Sequence, residues 1–233
     1  MRVAVLNDVH GNLPALEAVL AEVATEGADE IVCGGDVIAG PFPRECLEKL
    51  VDLGAVFVRG NADRESPRAP AGLWEWVAGQ LDPLSLEFLS DRPHALALGG
   101  VLYCHGSPRD EDEILTRVSP DERFRAALAG VEERLVVGGH THVQFVREID
   151  GIRFANAGSV GMPYEGEAGI ACWALLGPDV ELRRSRYDVD SAAEAIRASG
   201  YPDADEFVQE YLLAPASAEE ATAHFESLAE PSL

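Results

Sequence analysis

Metal-capable side chains collect in five short polar segments, each of which directly follows an apolar run. The residues concerned are Asp8, His10, Asp36, Asn61, His105, His140 and His142, and they include four of the chain's six histidines. Imidazole nitrogens and carboxylate oxygens together suit first-row transition metals. The six imidazole and carboxylate residues and the amide oxygen of Asn61 give seven potential ligands, which are more than one catalytic ion needs and fit two ions that share a bridging carboxylate.

Each of these residues, taken alone, also has an ordinary structural explanation. An aspartate after a strand often caps a helix or a turn, and Asn61 beside a glycine is typical of a turn. His105 alone is compatible with a strand-end histidine that forms its hydrogen bonds locally. Their joint occurrence after successive apolar runs requires a common cause, because ligands of open α/β sheets bind at the carboxyl ends of the strands.

Alternating strand and helix patterns position these residues in the N-terminal part of the chain. Continuous apolar runs at 2–6, 30–36 and 55–61 predict buried strands. Helical spacing of apolar residues predicts one helix that stops at Gly27 and a second over 43–54. This order predicts a parallel sheet with right-handed crossovers.

The rest of the chain predicts further strands and two helical additions. A hairpin is expected at 95–106, and five strand-like runs follow between 134 and 187. Residues 64–94 predict one or two helices inserted between core strands, and we favour core packing over substrate stacking for their tryptophans. Residues 188–233 predict a helical appendage packed on the same domain, so that residues 1–233 form one domain.

Two patterns predict helix starts in the C-terminal half. Ser119 and Glu122 form one potential capping box, with Pro120 at the first helical position, and Ser217 and Glu220 form a second. Each serine hydroxyl is expected to accept a hydrogen bond from the backbone N–H three residues later.

Composition and charge limit the classes of partner. The net charge is −23 and Lys49 is the single lysine, so we expect no duplex nucleic acid partner, and an anionic substrate needs a strong local positive charge. The first apolar run is too short for a signal peptide or a membrane span, so we expect a cytoplasmic protein with no membrane partner. The four cysteines are widely spaced, without a CxxC pair, and are expected to be small buried hydrophobic residues.

The polar segments together resemble the calcineurin-like metallophosphoesterase superfamily. The motifs, in chain order, are Asp8-x-His10, Gly35-Asp36, Gly60-Asn61, His105-Gly106 and Gly139-His140-x-His142. The resemblance covers residues 1 to about 187. Within that superfamily the chain is most similar to the small bacterial and archaeal phosphodiesterase branch, with Ala157 in the segment NAGSVGMPY at a place where proline is common.

The resemblance implies an α/β fold, namely a four-layer α/β/β/α sandwich of two mixed β-sheets flanked by helices. It also implies a role for each polar residue. Asp8, His10 and His142 would hold one ion, Asn61, His105 and His140 would hold the other, and Asp36 would bridge the two. The implied cofactors are two divalent transition-metal ions, with Mn²⁺ favoured and Fe, Zn or Ni as alternatives.

The activity implied by the resemblance is that of a dinuclear-metal-dependent phosphoesterase, in which a metal-bridging hydroxide attacks phosphorus in line. Two divalent ions against two ligand carboxylates would supply the local positive charge that an anionic substrate needs. Arg64 and Arg109 each follow a ligand motif closely, and each is either a substrate-binding residue or a surface salt-bridge residue. The expected substrate is a small phosphorylated compound. A non-catalytic metal-binding scaffold and a phosphomonoesterase or protein phosphatase stay open as alternatives.

One position departs from the pattern of the superfamily. Many members carry a histidine directly after the asparagine that corresponds to Asn61, and the resemblance implies that this histidine protonates the leaving oxygen or stabilises its charge. This chain has Ala62 there, and the alanine side chain has no proton to donate. Acid catalysis by a positioned group matters most for poor leaving groups, so we predict a preference for phosphodiesters or nucleotide-type phosphoanhydrides over alkyl phosphomonoesters.

Overall fold

Two five-stranded sheets form the centre of the computed structural model, which describes residues 1–64 and 72–229. The strands are β1 (Val3–Leu6), β2 (Glu30–Cys33), β3 (Val56–Phe57), β4 (Ala95–Leu98), β5 (Val101–Cys104), β6 (Leu135–Gly138), β7 (Phe145–Ile149), β8 (Ile152–Asn156), β9 (Ile170–Leu176) and β10 (Val180–Arg186). The helices are α1 (Leu13–Glu26), α2 (Pro43–Asp52), α3 (Leu73–Gly79), α4 (Pro83–Ser90), α5 (Asp121–Ala127), α6 (Val189–Ala198), α7 (Ala204–Phe207), a π-helical segment (Val208–Leu213) and α8 (Ala218–Leu228).

Both sheets are mixed. The first has the strand order β10-β9-β1-β2-β3, in which β1, β2 and β3 run parallel while β9 and β10 pair antiparallel. The second has the order β4-β5-β6-β8-β7, in which β5, β6 and β8 run parallel and the edge strands are antiparallel. The parallel start, the hairpin of β4 with β5 and the two mixed sheets are therefore confirmed.

The residues of β1 show how the sheets and helices form layers. Val3 and Val5 lie between the two sheets, in a buried cluster that includes Val137 of β6. Ala4 and Leu6 point the other way and pack against α1 and α2. This alternation follows from the two-residue period of a strand, and it gives the first sheet one face toward the second sheet and one toward the helices.

Helix α1 directly follows the first polar segment and covers the outer face of the first sheet. Asn12 caps its N-terminus by accepting a hydrogen bond from the Ala15 N–H at 3.3 Å, and Gly27 ends it in the left-handed conformation. Its buried residues include Leu16 and Val19. On the outer face of the second sheet, Phe124 of α5 occupies the corresponding place. The four-layer α/β/β/α order is complete.

The inserted segment and the C-terminal residues pack on the same side of the molecule. Within 64–94, helices α3 and α4 are present, and residues 65–71 lie outside the described residues. Trp76 contacts Tyr201 edge-on, with ring centroids 5.3 Å apart, and packs against the core. Beyond Asp188, the helices bury their own apolar cluster around Phe207. The single-domain boundary stays a prediction.

The two predicted capping boxes have different outcomes. At α8, Ser217 and Glu220 form the complete box. At α5 the prediction is wrong: in the described part of the chain, Pro120 is the N-cap residue and no side chain caps the helix. The Ser119 hydroxyl instead accepts from the Thr116 N–H at 2.9 Å and from Arg123 Nη1 at 3.0 Å, and it donates to a distant carboxylate. These contacts use both of its lone pairs and its proton, so it does not accept from the Glu122 N–H.

The cysteines are buried free thiols, as expected. Burial raises the pKa of all four thiols, which keeps them protonated. Within residues 1–64 and 72–229, no helix combines the length and the apolar character that a membrane span needs.

Candidate metal centre

The parallel strands bring the seven polar residues to one edge of the two sheets. They follow β1, β2 and β3 of the first sheet and β5 and β6 of the second. Two groups of potential ligands lie there, each with its ligand atoms within 4.8 Å of one another. The first group is Asp8, His10 and His142, and the second is Asp36, His105 and His140.

Asp36 belongs to the second group and also lies close to the first. Its Oδ2 atom is 3.7 Å from His10 Nε2 of the first group and 3.3 Å from His105 Nε2 of the second. Asn61 joins the second group, because its Oδ1 atom is 3.0 Å from His105 Nε2. The Ala62 N–H donates to the other carboxylate oxygen, Asp36 Oδ1, at 2.7 Å. One oxygen of Asp36 is thus held by the backbone while the other faces both groups.

Backbone carbonyls fix the proton position on three of the histidine rings. The Nδ1 atoms of His10, His105 and His142 lie 3.3, 2.9 and 2.9 Å from the carbonyl oxygens of Ala39, Gly34 and Met162, respectively. A carbonyl oxygen can accept but cannot donate, so each Nδ1 carries the proton. In the neutral ring the Nε2 lone pair then points into the site, which is the arrangement that metal-binding histidines commonly have.

The arrangement of these atoms fits a cation. His10 Nε2 and His142 Nε2 are 3.2 Å apart, yet both present lone pairs in this tautomer and cannot hydrogen-bond to each other. Two nitrogens bound tetrahedrally at about 2.0–2.1 Å from one ion lie about 3.3 Å apart. Asp8 Oδ1 is also buried, has no hydrogen-bond partner among the described residues and is 3.2 Å from His142 Nε2. A cation between them would satisfy all three atoms.

Burial and charge set the protonation of the ligand histidines. Burial lowers the pKa of both His10 and His140 to about 4, and neighbouring histidines add to the effect. His105 differs: burial lowers its pKa, but the carboxylates of Asp36 and Asp8 outweigh burial and raise the pKa to about 10. The pair of carboxylates therefore draws either a proton or a metal ion to His105, and metal binding releases that proton.

The backbone of the site is in an unusual conformation. Among the described residues, six other than glycine have a positive φ, and five of those are potential ligands. These five are Asp8, His10, Asp36, His140 and His142, with φ between 46° and 66°. Such residues cost free energy, of the order of 1–3 kcal/mol each, and they cluster at functional sites. No pattern in the sequence indicates this strain, because aspartate and histidine also occur in ordinary turns.

Close backbone approach explains one glycine of the motifs. A Cβ atom at Gly60 would lie 2.1 Å from Asp36 Oδ1. A side chain at this position would therefore displace the carboxylate that faces both groups. The position before Asn61 therefore has no room for a side chain, and only glycine fits there.

Asp63 is a buried residue at the site that the sequence reasoning missed. Its Oδ2 atom accepts from the Asp36 N–H at 2.8 Å and the Gly60 N–H at 3.1 Å, and its Oδ1 atom accepts from the Val37 N–H at 2.7 Å. One carboxylate thus joins the turns that follow β2 and β3. Its position two residues after Asn61 was the available signal.

The two arginines expected at the substrate are paired with carboxylates of the segment 110–113. Arg64 Nε is 2.7 Å from Glu111 Oε1, and Glu111 also binds Arg59 at 2.8 Å. Arg109 Nε donates to Glu113 at 2.9 Å. Both arginines take part in ion pairs next to the ligand segments, and their contact with a substrate stays a prediction.

Comparison with known proteins places the chain in a family. The sequence model of the calcineurin-like phosphoesterase superfamily domain matches residues 1–176. An uncharacterised protein of Methanocaldococcus jannaschii is 29% identical over 232 residues, covering 86% of this chain and 94% of the relative. The phosphodiesterase YfcE of Escherichia coli strain K12 is 26% identical over 194 residues, covering 77% of this chain and 89% of that protein.

A solved structure supports the same placement. The metallophosphoesterase from Sphaerobacter thermophilus superposes with a TM-score of 0.73 at 29% identity, covering 89% of this chain and 97% of that chain. The resemblance inferred from the polar segments and the four-layer sandwich are therefore confirmed. The chain belongs to the calcineurin-like phosphoesterase superfamily, a family of hydrolases that act on phosphoester bonds.

Proposed function

We propose that the chain is a phosphodiesterase that works with two divalent metal ions at the edge of its sheets. Asp8, His10 and His142 would hold one ion, Asn61, His105 and His140 would hold the other, and Asp36 would serve both. Mn²⁺ is the favoured ion, and Fe, Zn and Ni also suit a set rich in imidazole. The observation that carries the proposal is the convergence of histidine Nε2 atoms on Asp8 and Asp36.

The protein's own groups position and neutralise the charges of the reaction. Carbonyl groups hold the histidine rings with Nε2 toward the site, and the Ala62 N–H holds Asp36 so that Oδ2 faces both groups. When bound, two divalent ions lower the pKa of a water molecule and stabilise the attacking and leaving oxygens of an in-line displacement. The site then attracts an anion although the chain carries a net charge of −23.

Ala62 favours a diester or an anhydride as substrate. Its backbone N–H is used by Asp36, and its methyl group has no proton to give to a leaving oxygen. An aryl oxide or a phosphate leaves without that help more readily than an alkoxide does. A relative named as a phosphodiesterase, the YfcE protein, agrees with this preference.

The test is metal removal followed by refilling. Chelation and dialysis of the full chain should abolish cleavage of bis(p-nitrophenyl) phosphate. Mn²⁺ should restore it better than Mg²⁺, because Mg²⁺ prefers oxygen ligands. Metal bound per chain, measured by mass spectrometry, should approach two in the Mn²⁺-refilled protein. Full activity in the chelated protein, or a metal content of zero after refilling, would overturn the proposal.

A further inference from the structure

An aromatic wall borders the metal centre and comes partly from the C-terminal helices. We define it as Tyr164, Tyr211 and Phe225. Tyr164 stacks on His142, with ring centroids 5.2 Å apart and an angle of 16° between the planes. Phe225 of α8 lies 6.2 Å from both the His140 ring and the Tyr164 ring, and Tyr211 lies 6.2 Å from Tyr164. One potential ligand of each group therefore has an aromatic neighbour.

Helix α8 is held over the site by contacts at both of its ends. Near its C-terminus, Glu226 accepts hydrogen bonds from Thr116 at 2.6 Å and from Arg123 at 3.0 Å, and also binds Ser119. Near its N-terminus the capping box is complete, and the Gly166 N–H donates to the Ala216 carbonyl at 3.0 Å. Phe225 is therefore fixed beside His140 by a helix that is itself anchored.

The wall lies partly outside the region that the family model matches. The family match ends at residue 176, whereas Phe225 and Tyr211 lie beyond it. All seven potential ligands lie within the matched region. A residue that touches the site from outside that region is placed to select a substrate and is not needed to hold the ions.

Charge decides which part of a substrate this wall accepts. Residues 201–229 contain seven aspartates and glutamates and no lysine or arginine. Such a segment repels a phosphate group. Aromatic rings, in contrast, favour a flat uncharged ring, and one such pair strengthens binding about two- to tenfold beyond the effect of burial. The phosphate must face the ligands, and the uncharged part of the substrate is left to face α8.

We propose that Phe225 is a specificity-determining residue that contacts a planar aromatic group, an aryl ring or a nucleobase, attached to the phosphate at the metal centre. Tyr164 forms the adjacent part of the same surface. Both residues are partly exposed, so a ring can reach them. The inference rests on the proposed function, since it takes the phosphate to be bound at the ligand groups.

The experiment compares two phosphonates that share a head group. Phenylphosphonate and methylphosphonate are titrated into the Mn²⁺-loaded full chain by calorimetry, so no turnover is required. The wild type should bind phenylphosphonate about two- to tenfold more tightly. Phe225→Ala should bring the ratio of dissociation constants near one and leave both the methylphosphonate affinity and the bound Mn²⁺ unchanged. Phe225→Tyr should keep the ratio.

Two further variants separate recognition from folding. Leu228→Ala changes an exposed residue of the same helix and should keep the wild-type ratio. Phe225→Leu retains apolar volume without a ring, and it decides the question if Phe225→Ala does not fold. Equal binding of both phosphonates by the wild type, or an unchanged ratio in Phe225→Leu, overturns the role of Phe225 and leaves the proposed function standing. Binding of neither phosphonate to metal-loaded wild type overturns the proposed function as well.

Discussion

The sheet edge that carries the potential ligands and the C-terminal helices that border it are built in opposite ways. At the edge, five potential ligands have a positive φ, and Asp8 Oδ1 is buried without a hydrogen-bond partner among the described residues. In α6 and α8 the chain follows ordinary helix chemistry. Asp188 caps α6 by accepting from the Ser191 N–H at 3.1 Å, and Ser217 and Glu220 form a capping box at α8.

The difference indicates how the two regions divide their tasks. Strained backbone and clustered charge lower stability, and they persist where the surrounding structure enforces them for function. Capped helices with a buried apolar face contribute to stability. Variants of the edge should therefore change metal binding and activity most, whereas variants that release α8 should change stability and substrate choice most.

The largest expected effect concerns Asp36. Asp36→Ala removes the carboxylate whose Oδ2 lies 3.7 Å from His10 Nε2 and 3.3 Å from His105 Nε2. Metal affinity should fall by more than about 100-fold, the upper figure for loss of an outer-sphere partner, and activity should fall below detection. Both are measured on refilled protein by mass spectrometry and by diester cleavage.

A matched variant separates the charge of Asp36 from its backbone conformation. Asparagine tolerates the left-handed region better than alanine does, and Asp36→Asn retains an oxygen that can accept from the Ala62 N–H. It should still lose metal, because an amide is a weaker ligand than a carboxylate. A normal metal content in Asp36→Asn would contradict the role given to the charge.

The second effect concerns the proton that Ala62 cannot supply. Over a series of aryl and alkyl esters, the wild-type rate should fall steeply as the pKa of the leaving group rises. Ala62→His should raise the rates of the poorest leaving groups by up to about 10²–10⁴-fold and change those of the best ones little. His94 lies one residue before β4 at this sheet edge and serves as the control for a histidine other than one at position 62. His94→Ala should leave the dependence of the rate on leaving-group pKa unchanged. A flat series in the wild type would show that another acid is present.

The third effect concerns Asp63, whose carboxylate supports the turns at the sheet edge. In Asp63→Asn, an amide NH₂ replaces one carboxylate oxygen and faces a backbone N–H of Asp36, Gly60 or Val37. Two donors cannot bond to each other, so the turn that carries Asp36 should loosen and metal affinity should fall by about 10–100-fold. Calorimetric titration with Mn²⁺ measures this change, and Asp52→Asn on the exposed end of α2 is the control. Equal affinities in the two variants would show that Asp63 does not support the site.

The smallest expected effect concerns Glu226, whose hydrogen bonds hold α8 in place. Burial raises the pKa of Glu226, but hydrogen bonds from Ser119 and Thr116 and the charge of Arg123 outweigh it and hold the pKa below its ordinary value. The stability that this carboxylate contributes is therefore present above its unfolded pKa of about 4.3 and is lost as the pH falls through the lower folded pKa. Glu226→Gln should lower the free energy of unfolding by about 1–2 kcal/mol near pH 7.

Thermal melting between pH 3 and 7 checks this prediction. The difference in melting temperature between wild type and Glu226→Gln should be a few degrees near neutral pH, about 2–4 °C per kcal/mol for a chain of this size. It should shrink toward pH 3. Glu219→Gln, at an exposed position of the same helix, should have a smaller effect. A difference that grows on acidification would contradict the ion pair as its source.

The sequence predicted the strands, the edge and the set of polar residues, because these depend on short-range patterns. An apolar run followed by glycine and a polar residue, as at Gly35 and Asp36, is visible within a few positions. The four-layer order came from the family resemblance, since five linked motifs are specific to that fold. The tryptophans, expected to pack in the core, do so at Trp76.

The failures share a physical cause, which is contact across long stretches of chain. The capping box at Ser119 was wrong because its hydroxyl binds Glu226, 107 residues away. Asp63 was missed because its three N–H partners belong to turns that only the folded sheet brings together. The contact of Phe225 with His140 likewise depends on how α8 docks, and no local pattern encodes that.

The carbonyl groups that orient the histidine rings have a consequence for how the site can evolve. Ala39 and Met162 position His10 and His142 through main-chain oxygens, which every amino acid possesses. Either residue can change its side chain over generations and leave the ring orientation intact, provided the backbone keeps its path. A scan of single substitutions would rate both positions as replaceable, although each contributes an atom that orients a potential ligand. The contribution of these two positions depends on the path of the main chain. It is therefore not visible in which amino acid occupies them.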